Sequence, residues 1–409
     1  MSDIRITQLD NGLTVATERV PGARSVATGA WVGVGARDEP EHEAGVSHFL
    51  EHLLFKGTAD RSSREIATAV ERVGGDLNAF TTKEYTAFYG RVPAAHLLTL
   101  LDVLGDVLVR PALRDADVES ERSVILEELA MDDDSPEDVV HQNLAQGLFP
   151  GHPLGRETAG HRHTVADVSP DAIRSFFAHW YNAPNTVIAV AGPGDHDTLL
   201  DLVIRAFAGL PTGGERPRRD APQAPPLAVI DLHDDIEQGQ VAVGMHALAR
   251  TDDRREALDV LNHALGGGPS SRLFDEIRER RGLAYTVYSA PSSYCDAGAL
   301  SVYAGTGAEN IDTVLGLIAQ ELDALLRTGV TRDEVEVAIG YLTGSYLMGL
   351  EDTGSLMGRL GGQLVTTGAV RSVEDQLARW QAVTVDDVCA LAEAVLRERT
   401  ISVLRPTPG

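Results

Sequence analysis

Gly45-Val46-Ser47-His48-Phe49-Leu50-Glu51-His52-Leu53-Leu54-Phe55 is the stretch from which the rest of the chain can be read. Its apolar residues run almost all round a helical wheel, which predicts a buried helix. Three ionisable side chains inside such a helix need partners, because an unpaired buried charge is costly. His48 and His52 stand one turn apart on the same face, and Glu51 lies within about 100° of arc of both. A pair of hydrogen-bonded core histidines would be the plainer arrangement, but the intervening glutamate and the apolar surroundings weigh against it. Two imidazoles at this spacing can share a metal ion, and a carboxylate beside them can take a proton from metal-bound water.

A zinc ion held by two histidines is under-coordinated and needs a third protein ligand. The helical stretch Ala116 to Met131 supplies candidates. At about 100° per residue, Glu121 and Glu128 share one stripe between Val124 and Ile125, whereas Glu127 points to the solvated side. The pattern selects Glu128 as the ligand, with Glu121 beneath it.

His48-Phe49-Leu50-Glu51-His52 is the H-x-x-E-H signature of the inverzincins. The wider segment His48 to Thr58 (HFLEHLLFKGT) resembles the pitrilysin, insulin-degrading enzyme and mitochondrial processing peptidase family, in its half-length bacterial branch. That family's third ligand is a downstream glutamate, which Glu128 matches, 76 residues beyond His52 and inside Val124-Ile125-Leu126-Glu127-Glu128. A family glutamate seven residues before the ligand, a support of the site, matches Glu121. The resemblance implies a zinc metalloendopeptidase with Glu51 as general base. His42, His161 and His163 lie in charged, loop-like text and are not assigned to the metal.

Downstream of the motif, Gly74 to Thr81 reads as a strand that turns at Thr82-Lys83-Glu84 into Tyr85 to Val92. By itself this is a hairpin. The match to the family's N-A-F/Y-T text implies an edge strand on which a peptide is laid as an added strand. Asn78, Ala79 and Phe80 are then the expected substrate-binding residues. Further on, Leu265 to Arg272 is a Gly-rich turn without the Gly-Lys-Ser/Thr of a phosphate loop, so nucleotide binding is disfavoured. Arg278 and Tyr285 read on their own as a helix-terminal charge and a half-buried aromatic. The resemblance implies more: they match a family Arg and Tyr, seven apart, that reach towards the substrate. Tyr285 is the expected oxyanion donor and Arg278 the group that holds the substrate.

The Pro/Gly-rich stretch 213–226 reads as a linker between residues 1–212 and 227–409. Each half opens with strand-like segments, passes through a charged loop into a helix, and closes on another strand. Strands mixed with long helices, without regular alternation, predict two tandem α+β domains, each a mixed sheet packed with helices. Homology between them rests on this shared order, since residue identity is low. The resemblance spans both halves and implies that two chains pair as a homodimer, a four-domain clamshell around a closed chamber that admits unfolded peptides. It also extends to members that have lost the zinc residues and serve as structural or partner subunits. The intact motif argues against that role.

The 409 residues carry a formal net charge of -26, which disfavours nucleic acid and anionic lipid as partners and favours basic peptides. No apolar run has the length of a membrane span, and the first residues lack a secretion signal, so neither a membrane nor export is expected. The two cysteines, Cys295 and Cys389, fit a reducing compartment, and the expected location is cytoplasmic.

Overall fold

The computed structural model describes residues 3–223 and 228–407. Residues 224–226 of the expected linker and Leu227 at the head of the second domain lie outside the described residues, as do 1, 2, 408 and 409. The chain forms two compact units. The first comprises Met1–Leu129, Glu157–Arg219 and Leu347–Ser372; the second comprises Ala130–Arg156, Asp220–Tyr346 and Val373–Gly409.

The first unit is built on six strands: β1 (Asp3–Gln8), β2 (Thr14–Arg19), β3 (Ser25–Val32), β4 (Asp76–Thr81), β5 (Thr86–Pro93) and β6 (Thr186–Gly192). They lie in the order β1-β2-β6-β3-β5-β4. β2 and β6 run parallel and the other pairs antiparallel, so the sheet is mixed. Every residue of β6 is buried, as a central strand covered on both faces requires. On one face lie α1 (Val46–Leu54) and the helix Leu97–Val109, which share a core with Val15, Ile188 and Phe88. The other face is covered by the helix Thr353–Thr367, through Leu356, Met357, Leu360 and Leu364. Burying each of these stabilises the unit by roughly 1.5–3 kcal/mol, an upper estimate. The backbone of that helix lies directly on Trp31: a Cβ added at Gly361 would sit 2.2 Å from the indole.

The second unit carries β7 (Val229–Asp234), β8 (Gln238–Ala247), β9 (Ala284–Ser293), β10 (Gly298–Gly307) and β11 (Thr400–Pro406), in the order β7-β11-β8-β10-β9. Here too one pair, β7 with β11, is parallel and the rest antiparallel. Apart from β1, the order and directions repeat those of the first sheet, with β9 taking the edge place that β4 has there. The helix Pro136–Leu148, from the first half of the sequence, packs Val140, Leu144 and Leu148 against this sheet. Each half of the sequence therefore covers the sheet of the other with one helix. The fold is α+β, as expected from the mixture of strands and helices.

Candidate metal centre

Two elements of the first unit make the centre. α1 starts at Gly45, whose φ of 100° and whose approach to the Ala159 carbonyl (2.5 Å for an added Cβ) both require glycine. The buried Glu39 carboxylate accepts hydrogen bonds from the backbone N–H groups of Gly45 and Ser47, each 2.7 Å long. A carboxylate there satisfies donors that the first turn leaves orphaned and complements the helix dipole. Phe49, Leu50, Leu53 and Leu54 are buried, which fixes the rotation of α1 and turns His48, Glu51 and His52 away from the core. The second element is α2 (Asp115–Asp133), which buries Val118, Glu121, Ile125 and Leu129 and leaves Glu127 exposed.

His48, His52 and Glu128 come together, with one ligand atom from each lying within 4.8 Å of the others. Glu128 Oε2 is 3.8 Å from His48 Nε2 and 3.6 Å from His52 Nε2. These separations are too long for hydrogen bonds. They are close to the spacing of about 3.4 Å that tetrahedral zinc with bonds of about 2.0–2.2 Å imposes on its ligand atoms. The imidazoles meet edge to face, with centroids 4.7 Å apart. Burial, and then the neighbouring His52, hold the His48 pKa down to about 4, so this ring is neutral, the form a metal needs. Two imidazoles and a carboxylate are a donor set that suits zinc.

Around this group lies a supporting shell. Glu121, buried, brings Oε2 to 3.4 Å from His52 Nδ1, while its Oε1 pairs with Lys56 Nζ at 2.7 Å. A carboxylate behind a ligating histidine sets its tautomer and ring orientation. Glu51 accepts a hydrogen bond of 2.6 Å from Thr81 Oγ1, at the end of β4. Burial raises the Glu51 pKa, against the opposing effects of the Thr81 bond and of His52. Three of these contributors, Thr81, Lys56 and Glu39, were not singled out from the sequence. Strand alternation could have found Thr81, since it shares the inward row with Ala79 and Leu77. Nothing in the loop before α1 marks Glu39.

On β4, Asp76, Asn78 and Phe80 form the outward row. Asn78 Oδ1 accepts from the Ala79 N–H at 2.8 Å, Ala79 packs against the core, and Phe80 meets Tyr85 and Tyr89 edge-on. β4 is the sheet's edge, paired only with β5 among the described residues. Arg278 and Tyr285 belong to the second unit. The Arg278 guanidinium lies over the rings of Phe274 (4.7 Å) and Tyr285 (4.8 Å), and Tyr285, on edge strand β9, is 80% exposed. Cys295 and Cys389 are not joined in a disulfide. Among the described residues no helix is long and apolar enough to cross a membrane.

Comparison with known proteins places these features in a family. Residues 14–162 match the family model for Insulinase (Peptidase family M16), and residues 167–342 match that for the peptidase M16 inactive domain. An uncharacterized zinc protease of Streptomyces coelicolor is 44% identical over 413 residues, covering 98% of this chain and 90% of its own. Another, from Bacillus subtilis, is 36% identical over 393 residues, covering 95% of this chain and 94% of its own. Among solved structures, a peptidase M16 inactive domain from Pseudomonas fluorescens superposes with a TM-score of 0.94 at 21% identity, over 100% of this chain and 98% of that one. A protease from Helicobacter pylori superposes with a TM-score of 0.92 at 23% identity, over 99% of this chain and 100% of that one. At those identities the two structures show the shared fold.

Proposed function

Because the chain belongs to peptidase family M16, the insulinase family, we propose that it is a zinc-dependent endopeptidase acting on unfolded peptides, with Glu51 as its general base. One observation carries the reading: His48, His52 and Glu128 converge on one point with Glu51 beside them. His48, His52 and Glu128 would hold the zinc. When bound, zinc acts as a Lewis acid on a peptide carbonyl and brings the pKa of a bound water from about 15.7 towards 7. Glu51 takes up the proton of the attacking water and returns it to the leaving amine. Its raised pKa suits both duties, because a base poised nearer neutrality also serves as the acid. Thr81 holds the Glu51 carboxylate in place, and Glu121 orients His52.

The same proposal covers the substrate side. The free edge of β4 would pair with an extended peptide, with Asn78, Ala79 and Phe80 beside the scissile bond. Tyr285 of one chain would donate to the oxyanion at the zinc centre of the other, and Arg278 would hold the substrate there. Two chains would pair as a homodimer enclosing a chamber in the cytoplasm, with basic peptides favoured by the net charge of -26. Sedimentation of the purified chain tests the pairing.

A second reading, a non-catalytic subunit of the same fold, draws on the inactive-domain model at 167–342. That match lies beyond the motif, whereas the zinc residues fall within the match at 14–162. Metal analysis together with hydrolysis of a mixed peptide library decides between them. Stoichiometric zinc and cleavage support the peptidase, and an inert zinc-loaded chain would support the subunit.

A further inference from the structure

A cavity of about 400 Å³ lies within the first unit, between the sheet face at β3, β5 and β4 and the first turns of the helix Thr353–Thr367. It is on the side of the sheet opposite α1. Its walls are aromatic: Trp31 at the base, then Tyr89, Tyr85 and Phe80, with Met357 from the helix. Phe80 belongs to the outward row of β4, so the cavity opens beside the edge that lacks a strand partner among the described residues.

The cavity exists because of two glycines. Gly354 and Gly358 stand one turn apart on the helix, on the face that lines it. A Cβ added at Gly358 meets nothing within 4 Å, so larger side chains would occupy the space rather than collide. Helix propensity favours alanine over glycine there, by up to about fivefold in the local equilibrium. The charges at the rim are three. Arg91 bonds Asp352 at 2.6 Å and lies 3.8 Å from Asp76, which leaves one net negative charge.

We propose that this cavity is a specificity pocket for one side chain of the bound peptide, large and aromatic or aliphatic, with acidic side chains excluded. The inference rests on the reading of β4 as the strand that pairs with substrate. A strand added at β4 lies about 4.8 Å away and turns every second side chain to the face that carries Asp76, Asn78 and Phe80. A long side chain from that row reaches across to its diagonal neighbours. It passes Phe80 and enters an apolar space, which an aspartate or glutamate could enter only by burying a charge next to Asp76 and Asp352.

The test uses the full-length zinc-loaded chain, a randomised peptide library, and fluorescence anisotropy with labelled peptides that differ only in Phe, Ala or Glu at the selected position. The wild type should prefer Phe, Tyr, Leu or Met over Ala at one fixed position by on the order of 10–100-fold and disfavour Asp and Glu. Gly358→Ala and Gly358→Leu should erode that preference in steps, the leucine by about tenfold or more, while peptides with Ala there are cut as before and zinc content is unchanged. A preference that survives Gly358→Leu, or no preference in the wild type, overturns the pocket. Selective binding sensitive to Gly358→Leu but without cleavage would leave the pocket standing and sink the hydrolytic reading. Neither selective binding nor cleavage would overturn both.

Discussion

At the scale of single residues, the charges of the centre are separable by what each removes. Glu51→Gln leaves both imidazoles and Glu128 in place but cannot accept a proton, so zinc should stay stoichiometric while kcat falls about 10²–10⁴-fold. Turnover near wild type with zinc bound would remove Glu51 from the role of base. Thr81→Val deletes one hydrogen bond to a charged group, worth about 1.5–3 kcal/mol, and should lower kcat by roughly 10–100-fold. Thr81→Ser should restore it, which a merely structural role for the methyl group would not allow. Glu128→Ala should lose the metal and Glu127→Ala should keep it, as read by metal analysis. The reverse pattern would show that the stripe on α2 had been misread. The stripe was legible because helical periodicity separates adjacent glutamates by about 100°. The shell behind it was not: Lys56 and Glu39 reach Glu121 and α1 through loop geometry that no periodicity encodes.

At the scale of elements, legibility follows how strongly a segment patterns. Segments such as Thr186–Gly192 and Ile311–Thr328 stand out by a continuous apolar run or a clear helical face. β1 did not, because four of its six residues are polar or charged and it lies at the edge. β10, GALSVYAGTG, escaped notice because Ser301 interrupts its short apolar run and glycines bound it on both sides. The start of α1 is a further case in which the element depends on one backbone conformation. Gly45→Ala adds a Cβ at positive φ and against the Ala159 carbonyl, so it should destabilise the first unit by about 1–3 kcal/mol. The measurement is a denaturant midpoint, with zinc affinity as a second readout, since the register of His48 depends on this turn. An unchanged midpoint and affinity would show that the turn relaxes freely.

At the scale of the whole molecule, the shared strand order of the two sheets makes plain a duplication that the text of the halves only outlines. The crossing of the helices Pro136–Leu148 and Thr353–Thr367 was not legible, because an amphipathic face states that it needs a sheet but not which one. Both halves of the sequence also carry buried or half-buried histidines, and these set a pH dependence. His141, His196, His246 and His263 all have their pKa values lowered, chiefly by burial. The unfolded chain takes up their protons as pH falls through about 6.5 while the folded chain does not, so stability must drop with pH in that range. Each contributes at most about 1.4 kcal/mol per pH unit. In metal-free protein His48, held near 4, adds the same sign. The raised carboxylates of Asp38, Glu51 and Glu321 act in the opposite sense as pH falls from their folded values towards unfolded values near 4, but they are three against five lowered histidines. The melting temperature of metal-free protein, in salt that keeps the Debye length below about 10 Å, should therefore fall from pH 7.5 to 5.5. His263 supplies the control: it stacks on Tyr341 with centroids 4.4 Å apart, and burial alone shifts it. His263→Phe keeps the stacking and removes one titration, so its melting temperature should depend less on pH than that of the wild type. Parallel curves for the two proteins would show that His263 is already free to protonate in the folded chain.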